Sequence, residues 1–203
     1  MASGITNKLK KLIPESKIVR FIIVFLLIFL PWYFIDDYMQ MARYGPFFVN
    51  LWFFAYHLLL KSLMFLSVHL TTLFTDVPIT TTYRVIDLGY YGSLSIGRPC
   101  LCADVMMLLL AFVVAYPGPW KKKLWFLPLG LASIHLMNVL RITALCLTKI
   151  YHPEWMHINH TYIFNMVILG FTFLLWVLWI AKVSPDNPKK TIAGNNKENQ
   201  NTK

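Results

Sequence analysis

Four stretches of the chain, 18–35, 101–116, 124–147 and 161–181, are almost wholly apolar. A helix needs about 20 such residues to cross the ~30 Å hydrocarbon core of a bilayer. Three of the four approach that length, and the second borrows flanking residues. A composition that is 57% hydrophobic, with a mean hydropathy of +0.55, agrees and takes the chain out of the soluble class. The formal charge of +10 does not point to nucleic acid, because the lysines lie between apolar runs and form no groove-sized basic surface. Three cysteines, Cys100, Cys102 and Cys146, are too few for a disulfide scaffold, and the Cys-x-Cys spacing is not that of thiol oxidoreductases or zinc sites.

The basic N-terminus (Lys8, Lys10, Lys11, Lys17, Arg20) leads into an apolar run, as in a secretory leader. No small-x-small cleavage site follows, and the run exits through Trp32, Tyr33, Asp36 and Asp37, so it reads as an uncleaved anchor. Lysines in short loops stay on the cytoplasmic side. Three clusters obey that rule together: the N-terminal one, Lys121-Lys122-Lys123, and the tail with Lys182, Lys189, Lys190, Lys197 and Lys203. An even number of crossings must separate them. The remaining apolar region, 46–74, therefore crosses twice or not at all. Because Trp52, Tyr56, His57, Lys61 and His69 interrupt it, the expectation is an outer interfacial helix or re-entrant hairpin, with a tight two-helix hairpin as the alternative.

The segment 78–99 is rich in Thr, Tyr, Val and Ile and punctuated by Asp87, Gly89, Gly92 and Gly97, which predicts a small outer β-hairpin leading into Cys100. The expected fold is an all-α membrane protein, a bundle of about four transmembrane helices carrying that outer helix and hairpin. It divides into a basic cytoplasmic N-terminus (1–17), a single membrane domain (18–184) and a disordered cytoplasmic tail (185–203).

This topology gathers reactive residues at one depth. Cys100 opens a span from outside, Arg141 lies near the outer end of the next, and His160 begins the last. Ionisable residues at such positions are functional candidates. His135, Asn138 and Arg141 recur at helical spacing, and Asp104 lies one turn below Cys100. A guanidinium beside a thiol favours the sulfur anion, and an imidazole can move protons in acyl transfer.

With Cys100 opening the apolar run Cys100-Leu-Cys-Ala-Asp, then Asn138-Val-Leu-Arg141, then His160 ahead of the last span, the sequence resembles the exosortase/archaeosortase family of membrane-embedded cysteine transpeptidases. The resemblance covers about 78–184, and Leu101 and Cys102 stand where many members carry Ser-Gly. It implies that Cys100 is the nucleophile, Arg141 the thiolate or oxyanion partner and His160 the general acid/base. It also implies exported protein substrates bearing a C-terminal motif, a transmembrane helix and a basic cluster. Cleavage would take place at the extracytoplasmic face of a bacterial cytoplasmic membrane, through a thioester passed to an amine or to water.

Other readings stand beside this one. Cys102 is structural, a second thiol, or itself the nucleophile; Cys146 reads as a buried hydrophobe. Arg141 alone could snorkel to the interface. His157 is the fallback for His160, and Asp104 either orients Arg141 or His160 or is a packed polar residue. The outer histidines His152, His157 and His160 lack standard ligand spacing, so no metal and no cofactor are expected. A non-enzymatic scaffold or small transporter subunit with a polar path through Arg141, Asn138 and Asp104 is the second functional class, and a thiol-disulfide enzyme using Cys100 and Cys102 the third.

Overall fold

The computed structural model describes residues 17–41 and 47–183. The lysines of the N-terminal stretch before 17 and of the 185–203 tail lie outside the described residues. Five helices carry the architecture: α1 (Lys17–Met41), α2 (Phe47–Thr72), α3 (Ala103–Ala115), α4 (Trp120–Tyr151) and α5 (Phe164–Leu178). A short helical piece, Met156–Ile158, and a π-type turn, Asn159–Ile163, lead into α5. Helices dominate because apolar runs of this length satisfy every backbone group internally. Their ends are set locally. Tyr116 turns extended (φ −71°, ψ 138°) ahead of Pro117, whose ring disfavours helical geometry in the preceding residue, and His152 ends α4 in the same position relative to Pro153.

Three helical segments, Phe53–Thr72, Trp120–Tyr151 and Pro153–Ala181, are long and apolar enough to cross a membrane. The windows 18–35 and 101–116 fall instead on shorter apolar helices, Ile18–Phe34 and Ala103–Ala115. Of the expectations for the region 46–74, neither the re-entrant nor the two-helix hairpin is formed, and the helix is. That region contains one uninterrupted helix of 26 residues, Phe47–Thr72, since neither Gly nor Pro occurs between 47 and 72 to turn the chain.

Between α2 and α3 lies a three-stranded antiparallel sheet, β1 (Thr80–Thr82), β2 (Val85–Asp87) and β3 (Ser93–Ser95), in the order β1-β2-β3. The expected hairpin gains a third strand, paired Val85 to Ser95 and Asp87 to Ser93. Ile86, Leu88, Leu94 and Ile96 point inward and are buried.

Contacts give the relative directions. Phe21 of α1 packs on Phe112 and Tyr116, while Trp32 reaches Asp104, so α1 and α3 are antiparallel. The pairs Ser62–His135 and Ser67–Val139 on α2 and α4, and Phe74–Tyr151 just past the end of α2, advance together, so those helices are parallel. One end of the bundle thus carries Lys121–Lys123, and the other carries the sheet, tied to α4 by the Lys149 ammonium donating to the Ser93 carbonyl at 2.8 Å.

Two cores follow. Toward the sheet, Leu60, Leu63, Ile86, Leu145 and Cys146 pack with Cys100 and Leu101. Toward the lysines, Leu109, Val113, Ile134, Ile168 and Trp179 pack with Cys102. Gly130 lets α3 and α4 close on each other, because a Cβ there would lie 2.8 Å from Leu109 Cδ2. The chain passes between the two cores at Cys100 to Cys102.

Candidate functional site

That passage is built from an unusual backbone. A 3₁₀ turn, Arg98–Leu101, is closed by the Cys100 N–H on the Gly97 carbonyl, and α3 starts at Ala103. Cys102 joins them in the left-handed conformation (φ 57°, ψ 24°). A side chain in that conformation costs about 1–2 kcal/mol. The sulfur contacts of Cys102 hold it there. Its thiol donates to Asn138 Oδ1 at 3.4 Å and accepts from Arg141 Nη1 at 3.8 Å.

α4 supplies the next two groups. Asn138, fully buried, donates from Nδ2 to the Cys100 carbonyl at 2.7 Å, which fixes the backbone that carries the thiol. Arg141 is 4% exposed. Its Nη2 donates to the His160 carbonyl at 3.5 Å, and its Nε is buried with no hydrogen-bond partner. No carboxylate answers this guanidinium among the described residues. All its polar contacts are long, and a buried charge held this loosely is costly unless a further partner arrives.

His160 comes from the π-type turn before α5. The wider turn leaves its ring half-buried, with Nε2 3.5 Å from Cys100 Sγ. Such turns recur at functional positions. The sulfurs therefore divide their partners: Cys100 has the imidazole, and Cys102 has the guanidinium and the amide. A nucleophile needs a base within reach, and of the three buried cysteines Cys100 is the one recorded against a histidine.

Other residues named from the sequence lie elsewhere. Asp104 is exposed, and its carboxylate accepts from Trp32 Nε1 at 3.2 Å, so it orients neither Arg141 nor His160. The polar path through Arg141, Asn138 and Asp104 is thereby not one hydrogen-bonded line. His157 is exposed and has no recorded hydrogen bond with the two cysteines. His135 leaves the Asn138–Arg141 line, because residues three apart drift by about 60° per step around a 3.6-residue helix. It meets Ser62 Oγ at 3.1 Å instead. Cys146 is fully buried in the sheet-end core.

Beside the site, α1 to α4 enclose a hollow of about 420 Å³, lined by Trp32, Tyr56, Met106, Met107, Leu131 and His135 among others. Its lining includes Ala103, so it opens next to the Cys100–Cys102 passage. Neither this hollow nor the left-handed Cys102 is signalled locally in the sequence. No family model, curated protein or solved structure matches the chain.

Proposed function

We propose that the chain is a membrane cysteine protease/transpeptidase of the exosortase kind, with Cys100 as nucleophile, His160 as acid/base and Arg141 as the charge partner. The observation that carries this reading is the 3.5 Å approach of Cys100 Sγ and His160 Nε2 beside a buried, under-satisfied guanidinium. In the reaction, the Cys100 thiol gives its proton to His160 as its sulfur bonds to a peptide carbonyl carbon. The resulting oxyanion takes hydrogen bonds from Arg141, whose Nε–H has no other acceptor. Collapse breaks the C–N bond, His160 returns the proton to the departing amine, and a thioester remains on Cys100. An amine or a water then attacks that thioester with His160 as base, restoring the thiol.

Depth supports the same assignment. From Lys123 to Arg141, α4 rises about 27 Å at 1.5 Å per residue, close to the ~30 Å hydrocarbon thickness. With Lys121–Lys123 on the cytoplasmic side, Arg141 and its partners reach the opposite interface. A substrate's transmembrane helix would run along the hollow lined by Trp32, Met107 and Leu131, which brings its outer end to Cys100.

The test is Cys100→Ala in the native host, with exported proteins profiled by mass. The expected result is accumulation of uncleaved precursors that carry a C-terminal apolar helix and basic end. Unchanged processing with normal expression of the variant rejects the proposal.

A further inference from the structure

The basic end of the bundle gathers positive charge with no negative charge to match it among the described residues. Lys121 and Lys122, both exposed, stand in the first turn of α4, which contains no acidic residue. Cations at the start of a helix oppose the positive pole of its own dipole, so this arrangement costs stability unless an anion is near. Arg20 of α1 is exposed at the same end, because its neighbour Phe21 packs on Phe112 and Tyr116 at the C-terminal end of α3. The described acidic residues lie the other way. Asp76 and Asp87 fall just before and within the sheet, Asp104 is in the first turn of α3, Glu154 follows α4, and Asp36 and Asp37 come after Trp32 on α1.

Beyond these lysines, α4 turns an apolar face outward. Lys122, Trp125, Leu129, Leu136 and Leu140 fall within about 60° of one another around a 3.6-residue helix, and the four apolar members are all exposed. Lys121 adjoins this face, one turn from Trp125. Trp120 and Lys123 are committed elsewhere, since the Lys123 ammonium lies 4.8 Å from the Trp120 ring centre and donates to the Val114 carbonyl.

Depth along the face follows from α4 alone. At 1.5 Å per residue, Trp125 lies about 4.5 Å, Leu129 about 10.5 Å and Leu136 about 21 Å from Lys122 along the axis. Half of the ~30 Å hydrocarbon core is about 15 Å, so with the lysines at a membrane surface the stripe passes through one whole leaflet. Trp125 then stands at the level where indoles favour the interface. Cations above an aromatic and then an aliphatic wall fit an amphiphile with an anionic head. The tail segment of this chain does not fit, since its charge is mainly basic.

We infer that the basic end of α4 binds an anionic phospholipid, its phosphodiester on Lys121 and Lys122 and one acyl chain along Trp125 and Leu129. The inference rests on that end of α4 meeting a membrane surface and is independent of the chemistry at Cys100.

The experiment adds phosphatidylglycerol, phosphatidylcholine or inorganic phosphate to the full-length protein in neutral detergent, with retained lipid read by native mass spectrometry and the thermal midpoint by scanning fluorescence. Wild type should retain phosphatidylglycerol about 25-fold over phosphatidylcholine, about fivefold for each of two lysines at an anionic surface. Its midpoint should rise with phosphatidylglycerol and stay fixed with phosphate. Lys121→Gln/Lys122→Gln should lose the preference and Lys121→Arg/Lys122→Arg should keep it. Lys61→Gln, which removes an exposed cation elsewhere, should keep it too. Equal retention of the two lipids by wild type, an intact preference in Lys121→Gln/Lys122→Gln, or an equal loss in Lys61→Gln overturns the inference. An equal midpoint shift with inorganic phosphate overturns the lipid assignment in favour of a free anion. A native dimer that retains no phosphatidylglycerol assigns the face to a second copy of the chain and overturns it as well.

Discussion

Two cations are buried in this bundle to the same degree, and they are treated in opposite ways. Lys123 and Arg141 are each 4% exposed on α4. Lys123 is provided for. Its ammonium donates to the Val114 carbonyl at 2.8 Å, at the C-terminal end of α3 where helix carbonyls lack partners, and lies 4.8 Å from the centre of the Trp120 ring. Arg141 is not. It reaches a sulfur at 3.8 Å and a carbonyl at 3.5 Å, and one N–H reaches nothing. A satisfied buried cation ties two helices together, whereas an unsatisfied one is a standing demand for negative charge. The first is architecture; the second is suited to charge that develops only during a reaction.

The comparison breaks most visibly under charge removal. Arg141→Met should lower processing by about 10²–10³-fold, the cost of losing one oxyanion donor, while leaving the thermal midpoint unchanged or higher, because an apolar side chain replaces a poorly paired ion. A midpoint that falls with activity intact would make Arg141 structural. His160→Ala should cost about 10²–10⁴-fold through the lost acid/base group, checked by the same processing assay at matched protein levels. Lys123→Met should do the reverse of Arg141→Met. Loss of its bond to Val114 costs about 1 kcal/mol, read as a midpoint about 2–4 °C lower for a chain of this size, with processing within about twofold. The smallest effect is expected from Cys102→Gly. Relief of the left-handed backbone should offset the lost sulfur contacts, so that the midpoint moves by less than about 1 kcal/mol equivalent, and a fall of several degrees would show that the thiol carries more of the site than its long contacts suggest.

The sequence singled out Arg141 and gave Lys123 only as one of a basic cluster, and it did not show that both are buried or which is paired. The apolar runs were legible from local hydropathy, and the Cys100, Asn138, Arg141 and His160 set from the order of span ends together with the resemblance they carry. What escaped was non-local. The Trp32–Asp104 bond joins residues of α1 and α3, and it diverts Asp104 from the site. The left-handed Cys102 has no Gly to announce it, and the π-type turn under His160 has no residue signature. For the region 46–74 the polar interruptions left a helix and hairpins both open, and what decides is that nothing in Phe47–Thr72 breaks a helix, while His57, Lys61 and His69 line a groove with Thr81 and Tyr83.

The account turns on whether His160 makes Cys100 the poised thiol. The most direct measurement is the rate at which each cysteine of the full-length protein in nanodiscs is alkylated by a small maleimide, resolved by peptide mass. Cys100 should react first, and at least about tenfold more slowly in His160→Ala, with no change in Lys123→Met. Faster labelling of Cys102 or Cys146, or a Cys100 rate indifferent to His160, would contradict it.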